Sequence, residues 1–525
     1  MIKEMVKPLL SIKNLIVLLA ILFIFLAMGC SSENSSTEKE GTTKEEKNVK
    51  MIFSFKSPNM DPHTVFTPIR AGVTETLLKV GKDSHIEGWL AEKWSTKDNV
   101  TWEFAIRDDI TFHDGTKLDA ARVKASLERS IDVNESLSGS LKIKSLEADG
   151  QTLTITTSEP YPALPSELVN PYTSIVNTES EKEIGAEEFQ NAPVGTGPFK
   201  VKNFIPNQEV QVSKYNSYWA GEPRIDEAAI QFIEDANVRA LGLQSKEADI
   251  VYNLPAEGMK AIEQDKNLKV ESVPGLRSHF ILYNQQSANV SNVKVRQALN
   301  LLIDRKSIKD DIMLGHAEPA NGPFNGTLPF GLSDKVQELN VEKAKTLLNE
   351  AGYTENADGS MEKDGKPLTL ELITYKARPE LPLIAQLFQS DAAKAGIDVE
   401  IKNVENADTH LAENTDWDLA TYSNNTSPRG DGSYFLNTAF TDTGALNVGK
   451  INISALNDVI QELNTTNDAE KRTNLTKDAA NIINEHAVHS YAVYPNIIVG
   501  VNKRITNWEP TAEEYYILTH SMDVK

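Results

Sequence analysis

Residues 428–431 read Pro-Arg-Gly-Asp, inside the stretch "YSNNTSPRGDGSYF" (422–435). Arg429 offers a planar, permanently charged fork that matches a carboxylate. The surrounding Pro, Gly and Ser favour an ordered turn. Three uses fit: an adhesion tripeptide on an exposed loop tip, a structural pair of Arg429 with Asp431 or another partner, or an anion grip at a cleft. Tyr422, Tyr434, Tyr491 and Tyr494 are the aromatic residues that could wall such a cleft, and each would serve equally in a core. His486 and His489 in "NEHAVHSYAVYP" stand three apart, but the following "SYAVY" reads as a strand, so a preformed helical His pair is not expected. No H-E-x-x-H, G-x-S-x-G or G-x-x-x-x-G-K-[ST] string occurs, which argues against a metal hydrolase, a serine hydrolase and a nucleotide-binding loop.

The single cysteine, Cys30, excludes a disulfide or a thiolate metal site. Lys3, Lys7 and Lys13 precede an apolar run from Leu15 to Met28, the pattern of a signal peptide over 1–29. "LAMGC" resembles a bacterial lipobox, with Leu26 one position earlier than usual. Cys30 is the expected lipidation site, giving the two or more chains that stable anchoring needs. Residues 30–50 are polar and low in complexity, a flexible tether. Removing residues 1–29 takes away three lysines and one glutamate and moves the formal net charge from −22 to −24. That charge argues against nucleic acid as a partner.

These residues need a scaffold, and from residue 51 strands alternate with helices. "MIFSF" (51–55) alternates like a strand. "DAARVKASLERSI" (119–131) has helical spacing, with Asp119 placed as its N-cap. "LKIKSLEADGQTLTITTSE" (141–159) is a hairpin turning at Asp149-Gly150. "VRQALNLLIDRKSIKDDIM" (295–313) reads as one amphipathic helix. "DWDLATYS" (416–423) is a strand leading into the Arg429 loop. The pattern is α/β, with length for more than one lobe.

Several motifs then add up to a family. "LAEKWSTKDNVTWEFAIRDDITFHDGTKLDAARVKASLE" (90–128), "APVGTGPFKV" (192–201), "YNSYWAGEPRIDE" (215–227), "VKVRQALNLLIDRKSI" (293–308) and "GHAEPANGP" (315–323) resemble, in order, the solute-binding proteins of bacterial peptide and nickel ABC importers, solute-binding family five. The resemblance implies a two-lobed, type II periplasmic-binding fold with an extra subdomain in lobe one. It places lobe one at 51–275, lobe two at 276–489 and a return to lobe one at 490–525. Ligand would bind between lobes that close by hinge bending. The expected protein is a monomer, not an enzyme, with no intrinsic cofactor. It would sit at the extracytoplasmic face of the bacterial cell membrane and deliver cargo to a permease driven by an ATPase.

In this architecture a loop after a lobe-two strand reaches the cleft, so Arg429 is expected to grip ligand. Peptide-binding members carry there an Asp that holds the peptide amine, and this chain has no such string. The nickel-binding branch is therefore favoured, with Ni²⁺ or a similar metal carried as a small-molecule chelate such as metal–histidine. His63 and His489 are the expected metal contacts. An oligopeptide receptor is the alternative. The arginines that some nickel-binding members carry have no counterpart in 134–143 or 161–175. His113 is expected as a surface or turn residue rather than a ligand, and Arg107 and Asp108 as a structural ion pair.

Overall fold

The computed structural model describes residues 46–525 except 83 and 334. The signal peptide, Cys30 and most of the proposed tether lie outside the described residues. The tether reading ends early, because Asn48–Phe53 is already a strand. Its buried Val49, Met51, Ile52 and Phe53 pack it beside the parallel strands Glu227–Phe232 and Ile250–Tyr252.

That strand belongs to a twelve-stranded sheet. The connecting piece is the 14-residue strand His489–Asn502. Its early residues pair with Arg277–Tyr283, and Asn496–Asn502 pair with Leu268–Pro274. The sequence "HSYAVYPNIIVGVN" is rich in Val, Ile and Tyr, as a strand buried on both faces requires. Pro495, which cannot donate to a ladder, falls where the strand changes partners. Opposite it, a Cβ on Gly275 would lie 2.7 Å from the Pro495 carbonyl oxygen, so only glycine allows the close crossing.

The cores divide accordingly. Two clusters are built from residues between 276 and 494. Two others combine residues 49–268 with 497–524. A further cluster, from Leu77 to Ile175, packs the helix Ala120–Val133 on the antiparallel strands Ala91–Thr96, Thr101–Ile106, Thr152–Thr157 and Ile143–Asp149. This α/β architecture has two lobes, and the last cluster forms a separate small sheet in the first.

The helix Ala120–Val133 begins as expected, with the Asp119 side chain accepting from the Arg122 backbone N–H. The single helix expected over 295–313 is instead broken. Val293–Leu301 ends, Asp304 caps a new turn at Arg305, and Ile308–Ile312 widens to a π turn. The cause is Arg305, whose buried guanidinium turns inward to donate to the carbonyls of Tyr491 (2.8 Å) and Ala320 (3.1 Å). Burying a cation is tolerable only with such donors satisfied, and the helix bends to allow it.

Candidate functional site

Arg429 does not pair with Asp431. Its Nη1 donates to the Glu167 carboxylate, and its guanidinium lies over the Tyr434 ring, 4.3 Å from the centroid. Glu167 ends the short helix Leu164–Glu167, whose Leu164 is in the first-lobe core. The contact therefore joins the two lobes. The Arg429 side chain is 11% exposed and Glu167 6%. Burial pushes the Glu167 carboxyl up, and the pull of Arg429 only partly offsets this. Asp431 pairs instead with Arg472, 2.8 Å away on the helix Ala469–Glu485.

Two further arginines, absent from the sequence reading, stand beside this loop. Arg70 ends the short helix Thr67–Arg70. It lies over Phe55, 4.5 Å from the centroid, and Nε donates to the Glu514 carbonyl oxygen at 3.0 Å. Arg277 starts the strand Arg277–Tyr283 and donates to Ser423 Oγ at 3.1 Å. Neither makes an ion pair with a carboxylate among the described residues. Burial lowers both guanidinium pKa values, Arg277 to about 10 with neighbouring Arg378 adding to the effect. The Glu514 charge acts on both, and Tyr515 feels both Arg70 and Arg429. Arg70, Arg277 and Arg429 thus gather round the Glu514-Tyr515 turn, from both lobes. Half-buried guanidinium forks that make no direct ion pair among the described residues suit an anion with more than one carboxylate. A cavity of about 1590 Å³ is lined by Ile69, Leu276 and Glu513, the chain neighbours of Arg70, Arg277 and Glu514.

The predicted histidines are placed differently. His63 is fully buried, and both ring nitrogens are engaged. Nε2–H donates to the Ser174 carbonyl at 2.9 Å, and Nδ1 accepts from Arg129 Nη1 at 2.7 Å. Burial and the Arg129 charge depress its pKa to about 4. A metal at His63 would have to displace one of those bonds. His489 stacks on Phe280 at 5.1 Å and packs on Phe440 and Tyr491, deep in a lobe-two core. Its Nδ1 meets the Tyr491 hydroxyl at 3.3 Å, while Nε2 has no hydrogen-bond partner among the described residues. Desolvation alone depresses its pKa to about 3. The two imidazoles belong to different cores, and no cluster of three His, Cys, Asp or Glu suited to a metal occurs among the described residues.

Of the tyrosines, Tyr434 carries the Arg429 guanidinium and Tyr422 donates to Asp408. Tyr491 is buried in the core, and Tyr494 donates to the Gly322 and Phe324 carbonyls at 2.7 and 2.8 Å, a structural anchor. His113 lies in a turn but is buried there, with Nε2–H donating to the Gly197 carbonyl at 3.0 Å. Arg107 does not pair with Asp108 but donates to the Trp89 carbonyl and lies over the Trp219 ring.

Residues 85–447 match the model of bacterial extracellular solute-binding proteins, family 5. The chain belongs to that family. Such family 5 proteins bind solutes and are not enzymes. A curated relative, the nickel-binding protein NikA of Staphylococcus aureus, is 34% identical over 502 residues, covering 96% of this chain and 97% of the relative. The crystal structure of a nickel ABC transporter protein from Bacillus halodurans is 43% identical, with a TM-score of 0.82 over 91% of this chain and 100% of that one. NikA of S. aureus, solved in complex with Ni(L-His)2, is 35% identical, with a TM-score of 0.75 over 91% and 100%. A glutathione-binding protein of Shigella boydii is more distant, 26% identical over 479 residues, or 88% of this chain and 92% of the relative. In this family 5 chain the candidate ligand groups are Arg70, Arg277 and Arg429. No helix among the described residues is long and apolar enough to cross a membrane.

Proposed function

We propose that this chain is the receptor of an ABC importer, anchored through lipid on Cys30 at the outer face of the membrane. It captures nickel, or a similar transition metal, as a small-molecule chelate and hands it to the permease. The observation that carries this reading is the pair Arg70 and Arg277, neither of which makes an ion pair among the described residues, with Arg429 acting on the same Glu514-Tyr515 segment. A metal held by two amino acids presents two carboxylates, and two forks would receive them. Both His63 ring nitrogens are engaged and His489 is buried among aromatic rings, which supports a reading in which the chain recognises the chelator while the chelator fills the metal's coordination positions. The S. aureus relative with bound Ni(L-His)2 supports the same cargo class.

Calorimetric titration tests this. Ni²⁺ alone, Ni²⁺ with excess L-histidine, and a pool of tri- to pentapeptides are added in turn. Tight binding only with metal and histidine together is expected. Binding of peptides without metal would overturn it in favour of an oligopeptide receptor.

A further inference from the structure

The tripeptide Arg429-Gly430-Asp431 divides its contacts between the lobes. Asp431 faces its own lobe: Oδ2 accepts from Arg472 Nη2 at 2.8 Å and Nε at 3.1 Å, and Oδ1 accepts from the Ser433 N–H at 2.6 Å. Gly430, at φ +66°, faces the other lobe, where a Cβ would come within 2.7 Å of the Ser84 carbonyl oxygen. Arg429 reaches past it to Glu167. One residue anchors the loop and two cross the gap. Glu167 takes only Nη1, and Tyr434 covers one face of the guanidinium. The Nε–Nη2 edge makes no hydrogen bond among the described residues, and a guanidinium can serve two carboxylates along two edges.

We infer that this tripeptide and Glu167 form a closure latch, in which Arg429 joins a lobe-one carboxylate to a carboxylate of the cargo. Glu167 is a positioning residue. The part played by cargo rests on the chelate reading given above. Opening the lobes breaks the Arg429–Glu167 bond and lifts Gly430 from Ser84. A contact present only in the closed state favours that state, and ligand bound to it leaves more slowly. The latch therefore acts on release rather than on encounter.

The full chain is tested with nitroxides at exposed Glu135→Cys and Asn474→Cys, one on each lobe, in a Cys30→Ser background. Electron–electron resonance reads the distance between lobes. Glu167→Gln and Gly430→Ala are expected to lengthen and broaden that distance, and Glu167→Asp to restore part of it. Chase of radioactive nickel–histidine with unlabelled complex should show release from Glu167→Gln faster by about tenfold, with association unchanged. Distances that match the parent in both variants, or an unaltered release rate in Glu167→Gln, would overturn the latch. If the parent takes up no nickel–histidine, the chelate reading falls by itself, and the distances still decide the latch.

Discussion

Arg429 donates to Glu167 across 262 positions of sequence and from one lobe to the other. Arg129 makes the opposite kind of pair. It bonds Asp61 at 2.7 Å and Glu181 at 2.6 Å, all within the first lobe, and Asp61 is fully buried. The two pairs look alike in burial but differ in what happens when they break.

Losing the interlobe bond leaves both groups an escape, since opening the cleft returns them to water. Glu167→Gln is therefore expected to lower the unfolding free energy by less than about 1 kcal/mol, the range of a hydrated pair. Denaturant melts of the variant and parent check this.

Arg129 has no such escape. It also donates to His63, so five side-chain bonds converge on one guanidinium. Arg129→Met strands Asp61 in the interior and should cost about 3–5 kcal/mol. The same melts measure it, and a loss below that of Glu167→Gln would contradict the argument.

Arg70 and Arg277 carry a third signature. Each is a partly desolvated cation without a carboxylate partner among the described residues. Arg70→Met or Arg277→Met should weaken nickel–histidine binding by roughly 10- to 100-fold, the worth of a charged hydrogen bond. Stability should stay level or rise, because a desolvation penalty is removed. Parallel calorimetry and melting give the two readouts.

His489 supplies a pH test. Its folded pKa, about 3 because of desolvation, lies below the ordinary histidine value. The unfolded chain then binds more protons between those values, so this contribution is complete above pH 6.5 and is lost as pH falls towards 3. At pH 5 the loss is about 2 kcal/mol. His489→Phe should therefore gain stability over the parent at pH 5 relative to pH 8, with binding of nickel–histidine unchanged. A variant that melts in parallel with the parent at both pH values, or loses binding, would be the contrary result.

The scaffold was readable wherever the cause was local. The Asp119 cap and the alternation around Asp149-Gly150 rest on neighbouring residues, and the structure has both. The broken helix at 302–304 was not readable, since it depends on where Arg305 finds carbonyls up to 186 positions away. The site divides in the same way. Arg429 announced itself through its turn-forming neighbours, but its partner Glu167 lies in an unremarked helix turn. Arg70 and Arg277 sit in "PIR" and "GLR", strings with no chemical pattern, and only the fold brings both under the charge of Glu514. That both His63 ring nitrogens are engaged was not readable, because the engagement depends on Ser174 and Arg129, neighbours that spacing does not reveal.

The strand His489–Asn502 also bears on how the molecule is made. Synthesis runs from the N-terminus, and the first strand, Asn48–Phe53, is among the earliest folded residues to emerge. Yet the core it enters also needs Ile497, Val499, Val501 and Val524. The second lobe needs Val493 and Tyr494 from the same strand. Neither lobe can complete its core before this strand has emerged, so a growing chain stays open to proteases and to chaperone capture until residues 489–524 are present.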